Sequence, residues 1–271
     1  DATTRAFLKA QGREGDWSEL AADEGAAYDR VLDVDLSALE PLAACPHSPG
    51  NIATIASLAG KKVNQVLIGS CTNSSYRDLK TVALMLRGKK VHPEVEAGVA
   101  PGSRQVVEML AKEGLLTDLV AAGVRILENA CGFCIGNHMS PGSGAVSLRT
   151  SNRNFEGRSG TQSAQVFLVS PETAAAAALT GMFTDARTLA LRQNVEEPES
   201  FSLDDSMFLF RETAGKGVPG TEIVRGPNIG QVPAGTPLPE TLNGVAAGPR
   251  AQAGRAHDKT PVTATGRMPA S

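Results

Sequence analysis

The sequence predicts an α/β fold, a three-layer α/β/α arrangement around a mostly parallel sheet. Between residues 60 and 185, short apolar runs alternate with segments of helical periodicity, and this alternation is typical of a parallel sheet covered on both faces. Each apolar run leads into a loop of small or polar residues, and two of these loops contain cysteine. Because the carboxyl ends of parallel strands meet at one edge of a sheet, we expect these loops to face one crevice.

The first strand–loop–helix unit has the clearest signals. An apolar run at 63–68 predicts a strand that ends in the loop GSCTNSS. Ser74 or Ser75 is expected to cap the next helix, and Asp78 follows Ser75 at the capping-box spacing. Apolar residues at 79, 82, 83 and 86 follow the helical rule, and Gly88 is expected to end the helix.

The same pattern recurs along the chain. Further strands are predicted near 95–99, 124–127, 145–148 and 165–169, and further helices after Ser103, near 117–122 and from Pro171 to Gly181. The last helix has proline at its first position, where the missing N–H is not needed. The strand near 124–127 leads into NACGFCIGNHMSPGSG, and the strand near 145–148 leads into RTSNRNFEGRSG.

Composition limits the possible functions. The chain has 271 residues, a formal charge of −3 and no run of 18 apolar residues, so neither a nucleic-acid partner nor a membrane partner is expected. Its four cysteines, at 45, 71, 131 and 134, are too few and too unevenly spaced for a disulfide scaffold, and they favour a reducing, cytoplasmic location. The opening residues lack a methionine and a signal peptide, so we expect a piece of a longer chain.

Three domain segments are predicted. Residues 1–55 would lead into the core from a missing N-terminal region, and residues 56–212 would form the α/β domain. Residues 213–271 would be a linker and a disordered tail, because large apolar residues become scarce towards the end.

Cysteine spacing leaves three kinds of site open. Cys131 and Cys134 form a C-x-x-C pair, which is typical of a redox dithiol, of half a zinc site or of iron–sulfur ligands. If Cys71 joins them at the crevice, three thiolates are available. His138 is the nearest histidine, but we expect it to be a loop residue rather than a ligand. Three thiolates without a fourth ligand would suit a cluster with one open iron.

The loop NRNFEGR at 152–158 adds positive charge to the same edge. Arg153 and Arg158 carry planar guanidinium groups that match carboxylates in two-point contact. Beside three cysteines, this loop predicts binding of a polycarboxylate.

Four motifs, IGSCTNSS, ACGFCIGN, TSNRNFEGR and LVSPETAAAAALTG, occur in an order and spacing that resembles the aconitase superfamily of iron–sulfur hydro-lyases. The resemblance extends over nearly all of residues 1–245. It implies the cluster-bearing third domain of that family, in which Cys71, Cys131 and Cys134 hold a [4Fe-4S] cluster. It also implies that Asn152, Arg153 and Arg158 contact the substrate carboxylates or shape their pocket.

The activity implied by the resemblance is aconitate hydratase, which interconverts citrate and isocitrate through cis-aconitate in the tricarboxylic acid cycle. The substrate would be a small tricarboxylate, and the partners would be the missing aconitase domains. In the family, the catalytic acid and base residues lie in those domains, so this chain is expected to be inactive alone. The linker-like segment 225–244 favours aconitate hydratase as the activity.

Two alternatives remain. One is a hydro-lyase subunit acting on isopropylmalate or homoaconitate, and the other is a non-catalytic iron or redox sensor. Phe133 departs from the family pattern, since many aconitases have proline there, and we expect it to affect the geometry of the cysteine loop more than ligation. Cys45 matches no family ligand.

Overall fold

The computed structural model describes residues 1–189 and, beyond them, residues 191, 195, 198–201, 203, 204, 206, 243–245 and 261–263. The chain divides into two compact units, Asp1–Phe208 and Leu209–Ser271. The predicted boundaries after residues 55 and 212 remain predictions. Within the described residues, no helix has both the length and the apolar character needed to cross a membrane.

The first unit contains seven strands and six α-helices among its described residues. The strands are β1 (Leu42–Ala44), β2 (Ile52–Thr54), β3 (Gln65–Gly69), β4 (Glu96–Ala100), β5 (Arg125–Ile126), β6 (Val146–Arg149) and β7 (Gln165–Leu168). The helices are α1 (Ala2–Ala10), α2 (Ile55–Leu58), α3 (Tyr76–Leu86), α4 (Arg104–Lys112), α5 (Leu115–Ala122) and α6 (Pro171–Thr180).

The seven strands form one mostly parallel sheet in the order β2-β1-β7-β6-β3-β4-β5. Strands β7, β6, β3, β4 and β5 are parallel to one another, whereas β1 pairs antiparallel with both β2 and β7. After β3 the chain builds outwards through β4 and β5, and it then returns to add β6 on the other side of β3. The end of β3 is therefore the point where the strand order reverses, which is the usual ligand position in open α/β sheets.

One side of the sheet, here called the apolar face, packs against helices α3 to α6. Val66 and Ile68 of β3 and Leu148 of β6 lie on this face in one buried cluster with apolar residues of all four helices. The alanines of α6 are almost completely buried, and their small side chains allow close contact with α3. Hydrophobic burial on this face is the main source of stability for the unit.

The opposite side, here called the polar face, carries Gln65 and Leu67 of β3 and Ser147 and Arg149 of β6. All four are buried. Within the described residues, this face is covered by the loop 127–142, whose residues 133–135 form one turn of 3-10 helix. The architecture is the predicted three-layer α/β/α class, with a loop rather than long helices in the second outer layer of the described part.

Local signals explain the well-predicted elements. Helix α3 begins at a capping box in which Ser75 and Asp78 satisfy each other's backbone N–H groups, and Leu79 on its inner side is fully buried. Helix α6 begins after Ser170, whose hydroxyl accepts from the backbone N–H of Thr173. The capping residue of α3 is Ser75 rather than Ser74.

The first 55 residues were not assigned strands or helices from the sequence. They contain α1, the edge strand β2 and its neighbour β1, and each of these strands has three residues. Helix α1 packs through Phe7 on Phe201, with ring centroids 5.4 Å apart.

Few residues of the second unit are described. They form one antiparallel pair, β8 (Asn243–Val245) with β9 (Pro261–Thr263). The predicted disordered tail otherwise lies outside the described residues.

Candidate functional site

The loop that carries Cys71 follows β3 at the reversal of strand order. Gly69 has a φ of 112°, and a Cβ atom there would lie 2.0 Å from the carbonyl oxygen of Ala100. Only glycine therefore allows β3 to run this close to β4. The N–H of Ser70 donates to that same carbonyl at 3.0 Å, so the backbone directly before Cys71 is fixed on β4.

The same loop is also attached to β6. Thr150 accepts at its hydroxyl from Gly69 N–H at 2.8 Å, and its carbonyl accepts from Asn73 Nδ2 at 2.8 Å. Ser70 and Asn73 both have left-handed backbone angles, with φ of 78° and 54°. Such conformations are sparsely populated and persist where surrounding contacts determine them. Two neighbouring strands thus hold the Cys71 loop in one conformation.

The Cys71 thiol is exposed at the end of this loop. Its sulfur lies 3.6 Å from Thr72 Oγ1 and 3.8 Å from Ser70 Oγ. Hydrogen bonding from Thr72 and then from Ser70 lowers the pKa of Cys71 below its ordinary value. A thiolate is the form that binds metal, and these two hydroxyl groups favour it.

Cys131 and Cys134 lie on the loop 127–142, which follows β5. Cys134 is buried and Cys131 is exposed, and the Cys134 thiol donates to the carbonyl of Cys131 at 3.3 Å. The hydrogen bond and charge of Cys134 raise the pKa of Cys131, and the charge of Cys71 adds to this effect. The structure therefore brings the three predicted cysteines within electrostatic reach of one another.

The turn that presents Cys134 is anchored by its neighbour. Phe133 is 1% exposed and packs with Leu67 and Ala100 on the polar face. Phe133 thus contributes to the buried cluster on the polar face that holds the turn Phe133–Ile135, here called the cysteine turn. A Cβ atom at Gly132 would lie 2.4 Å from Cδ2 of His138, so His138 packs directly on the glycine between the cysteines.

The arginine-containing loop follows β6. Its Asn154 is buried, and Nδ2 lies within hydrogen-bond distance of the carbonyls of Ala44, Cys45 and Val166, at 3.3, 2.8 and 3.1 Å. Asn152 and Arg153 are exposed, and among the described residues neither side chain forms a hydrogen bond with a cysteine.

Arg158 is the arginine of this loop whose charge acts on a cysteine. Its positive charge opposes the rise in the pKa of Cys131 and contributes to lowering the pKa of Arg149. Its guanidinium carbon lies 5.3 Å from the ring centroid of Phe155. Arg158 Nε is buried and has no acceptor among the described residues. A carboxylate oxygen would satisfy this donor.

The described residues contain no group of three or more His, Cys, Asp or Glu side chains that could hold a single metal ion. A single ion such as zinc requires all its donors at about 2.0–2.3 Å from one point. The described site brings three thiols together, and thiolates are the ligands that iron–sulfur clusters use.

Sequence reasoning missed one residue of this region. Arg149 is completely buried beneath the cysteine turn, whereas only the arginines of the following loop were singled out. The available signal was the alternation Val146, Ser147, Leu148, Arg149, which places two polar residues on one face of a buried strand.

The family of the chain follows from comparison with known proteins. Residues 1–181 match the model of the Aconitase family (aconitate hydratase), and the chain belongs to this family. The match ends earlier than the expected resemblance over residues 1–245.

Similar curated proteins are large subunits of one kind of enzyme. The 3-isopropylmalate dehydratase large subunit 2 of Archaeoglobus fulgidus is 44% identical over 188 residues, which are 69% of this chain and 45% of that protein. The large subunit from Elusimicrobium minutum is 43% identical over 190 residues, with 70% and 46% covered. Large subunit 1 from Thermotoga maritima is 40% identical over 190 residues, with 69% and 46% covered. The chain thus spans less than half the length of these relatives.

These relatives bear on the predicted reaction. They support the isopropylmalate alternative over the leading prediction of citrate and isocitrate as substrates. They give no support to a place in the tricarboxylic acid cycle.

Proposed function

We propose that the chain is the cluster-binding part of an aconitase-family hydro-lyase that acts on 3-isopropylmalate, together with a small subunit. The class of reaction is supported by the meeting of three thiols at the reversal of strand order in a chain of this family. The choice of substrate is supported by the names of relatives up to 44% identical.

Cys71, Cys131 and Cys134 would hold a [4Fe-4S] cluster. Family members generally bind such a cluster, and the donor set here fits it, with three thiols and no carboxylate or imidazole among them. The absence of a single-ion site among the described residues is compatible with this proposal, because the three thiolates of such a cluster bind different irons.

When bound, the cluster supplies a Lewis-acidic iron that polarises the C–O bond of the substrate hydroxyl. The residues of this chain bind and orient the substrate around it. Arg158, whose buried Nε–H has no acceptor in the described part of the chain, would donate to one substrate carboxylate. Arg153 and Asn152 are exposed on the same loop and would contact the substrate from the solvent side.

Arg158 also has an electrostatic role in this scheme. Loss of the carbon-bound proton leaves negative charge that spreads into the neighbouring carboxylate. A guanidinium fork already in place stabilises that charge without reorganisation during the reaction. The proton acceptor and the acid that protonates the departing hydroxyl would lie in parts of the enzyme outside this chain, to which the predicted leading segment 1–55 and the predicted linker 213–271 would connect.

The test begins with the whole protein and its small subunit, reconstituted anaerobically with iron and sulfide. We expect about four irons and four sulfides per chain, since three thiolates with one open iron suit a cubane cluster. Cys71→Ser should lose this content. Cys45→Ser is the matched control, because Cys45 is also a free cysteine but lies outside the three-thiol group, and it should keep the cluster.

Substrate assays then decide the reaction. Dehydration of 3-isopropylmalate, with little turnover of citrate or homocitrate, is expected. Turnover of citrate alone would return the assignment to aconitate hydratase. A loaded protein without turnover of any of the three would favour the iron or redox sensor.

A further inference from the structure

Arg149 is the largest of the fully buried side chains among the described residues, with 1% exposure. It is the last residue of β6 and lies on the polar face, directly beneath the loop 127–142. Burial of an arginine is costly because the charge loses its hydration. Its surroundings therefore need to compensate a full positive charge.

The hydrogen bonds of Arg149 go to neutral acceptors. Nε donates to Ser147 Oγ at 3.1 Å, and Nη1 donates to the carbonyl of Phe133 at 2.5 Å. Nη2 donates to Gln65 Oε1 at 3.3 Å and to the carbonyl of Met139 at 3.5 Å. Across the described residues, Arg149 forms no ion pair with a carboxylate. All three guanidinium nitrogens thus have hydrogen-bond acceptors, while the positive charge has no carboxylate partner in the part of the chain that the structure describes.

Two of these acceptors lie at either end of the cysteine turn. The carbonyl of Phe133 directly precedes Cys134, and that of Met139 follows the turn. One planar guanidinium therefore holds both ends of the segment 133–139 on strand β6. The guanidinium carbon also lies 5.8 Å from the centroid of the Phe133 ring, which is within the range of a cation–π contact.

Cys134 is the group of opposite potential charge beside Arg149. Burial lowers the pKa of Arg149 to about 10, the charge of Cys134 acts to raise it, and Arg158 acts to lower it. The guanidinium thus stays protonated at neutral pH. A cluster held by three thiolates is net negative, and this anion would compensate the buried cation.

We propose that Arg149 is a positioning residue for the cluster, which fixes the segment 133–139 on β6 and sets a buried positive charge beside Cys134. This inference rests on the proposed function, since it assumes that Cys134 is a cluster ligand. The positive charge should stabilise the reduced cluster relative to the oxidised one, because a buried charge is little screened by solvent. The hydrogen bonds should slow release of the cluster.

The experiment compares two substitutions in the whole protein loaded with cluster. Arg149→Gln removes the charge and most of the hydrogen bonds. Arg149→Lys keeps the charge but loses the planar fork. Arg125→Gln is the matched control, because Arg125 lies on the same sheet, pairs with Glu96 at 3.0 Å and is 65% exposed. The readouts are the reduction potential of the cluster, the rate of iron release to a chelator, and amide hydrogen exchange of residues 133–139 in the metal-free protein.

We expect Arg149→Gln to release iron about 10- to 100-fold faster, as is typical when an outer partner of a metal ligand is removed. It should also shift the potential to a more negative value. Arg149→Lys should release iron faster at a potential close to that of the wild type, and both variants should exchange faster at 133–139. Arg125→Gln should match the wild type in all three readouts.

The outcomes separate this inference from the proposed function. A wild-type protein that binds no cluster would overturn the proposed function itself. A loaded Arg149→Gln protein with wild-type potential and release rate would overturn the inference alone. If Arg149→Gln does not fold, Arg149→Lys decides, and wild-type release and exchange in that variant would refute the positioning role. A potential shifted as far by lysine as by glutamine would refute the charge role.

Discussion

The two faces of the sheet are built from the same strands but have opposite chemistry. On the apolar face, Val66 and Leu148 meet hydrocarbon from four helices. On the polar face lie Gln65, which precedes Val66 in the chain, and Arg149, which follows Leu148. Both take part in one hydrogen-bond network with Ser147 and the cysteine turn. Because side chains alternate along a strand, consecutive residues have different roles: one stabilises the fold, and the next shapes the site.

The two faces contribute differently to the free energy of folding. Burial of apolar surface gives roughly 25 cal/mol per Å², so the apolar face accounts for most of the stability. Hydrogen bonds on the polar face replace bonds to water and contribute only about 1 kcal/mol each, but they are directional. Substitutions on the first face should therefore lower stability, and substitutions on the second should alter the site first.

The largest effect on stability is expected for Leu148→Ala. Leu148 is fully buried on the apolar face, directly before Arg149 in the chain, and truncation should lower the free energy of unfolding by about 2–5 kcal/mol. Chemical denaturation measures this change. Iron content of the folded protein should stay at the wild-type value, and a loss of iron from the folded variant would contradict the separation of the two faces. Val120→Ala, at an exposed position of α5, should change stability by less than about 0.5 kcal/mol.

An intermediate effect, on binding rather than on folding, is expected for Arg158→Gln. A hydrogen bond to a charged group contributes about 1.5–3 kcal/mol, so the KM for 3-isopropylmalate should rise about 10- to 100-fold. Steady-state assays of the loaded whole protein test this. Arg158→Lys keeps the charge but not the planar fork, so its KM should lie between those of the wild type and Arg158→Gln.

The control for Arg158 is Arg187→Gln, since Arg187 is an exposed arginine paired with Asp185 at 2.6 Å. It should leave the KM unchanged. An unchanged KM in Arg158→Gln as well would exclude Arg158 from the substrate site.

The smallest effect is expected for an ion pair on the outside of the apolar-face helices. Lys80 of α3 pairs with Glu113 at 2.7 Å, and the Tyr76 hydroxyl also donates to Glu113. Partial burial acts to raise the pKa of Glu113, but the hydrogen bonds from Lys80 and Tyr76 outweigh it and hold the pKa below its ordinary value of 4.5. Because the pair is partly exposed, Glu113→Gln should lower stability by less than about 1 kcal/mol at neutral pH.

The pH dependence of this difference has a definite sign. A carboxyl group with a lowered pKa stabilises the folded state above its unfolded pKa, and that contribution is lost as pH falls through the folded pKa. The stabilities of wild type and Glu113→Gln should therefore converge below about pH 4.5. Denaturation curves between pH 3 and 7 would show this, and a gap that widens with acid would contradict the assigned role of the pair.

The sequence was sufficient for the elements with local signals. Helices α3 and α6 were predicted from caps and periodicity, and the parallel strands from short apolar runs between them. Strands β1 and β2 were missed because each has only three residues and depends on pairing with distant partners. The layer over the polar face could not be predicted, since a loop that covers a sheet has no periodicity.

Within the candidate site, the sequence predicted that Cys71, Cys131 and Cys134 meet at one edge of the sheet, and the structure brings them within electrostatic reach of one another. Their role as ligands stays a prediction. Arg149 was missed because its importance comes from burial, which one sequence does not display directly. The preference for citrate relied on the segment 225–244, of which only Asn243 and Gly244 are described. Cluster ligands mark the chemistry of a hydro-lyase, but the difference between two polycarboxylates depends on residues that contact the rest of the substrate.

Asn154 has a consequence for protein engineering. Its single amide nitrogen lies within reach of carbonyls from β1, from the residue after β1 and from β7, so the loop with the arginines is attached to strand β1, more than 100 residues earlier in the chain. A chimera that exchanges only residues 150–160 between relatives would place the amide of residue 154 against carbonyl groups from another protein. Exchange of that loop together with residues 42–54 would keep the donor and two of its acceptors in one block, and is the more promising unit for exchanging this loop between family members.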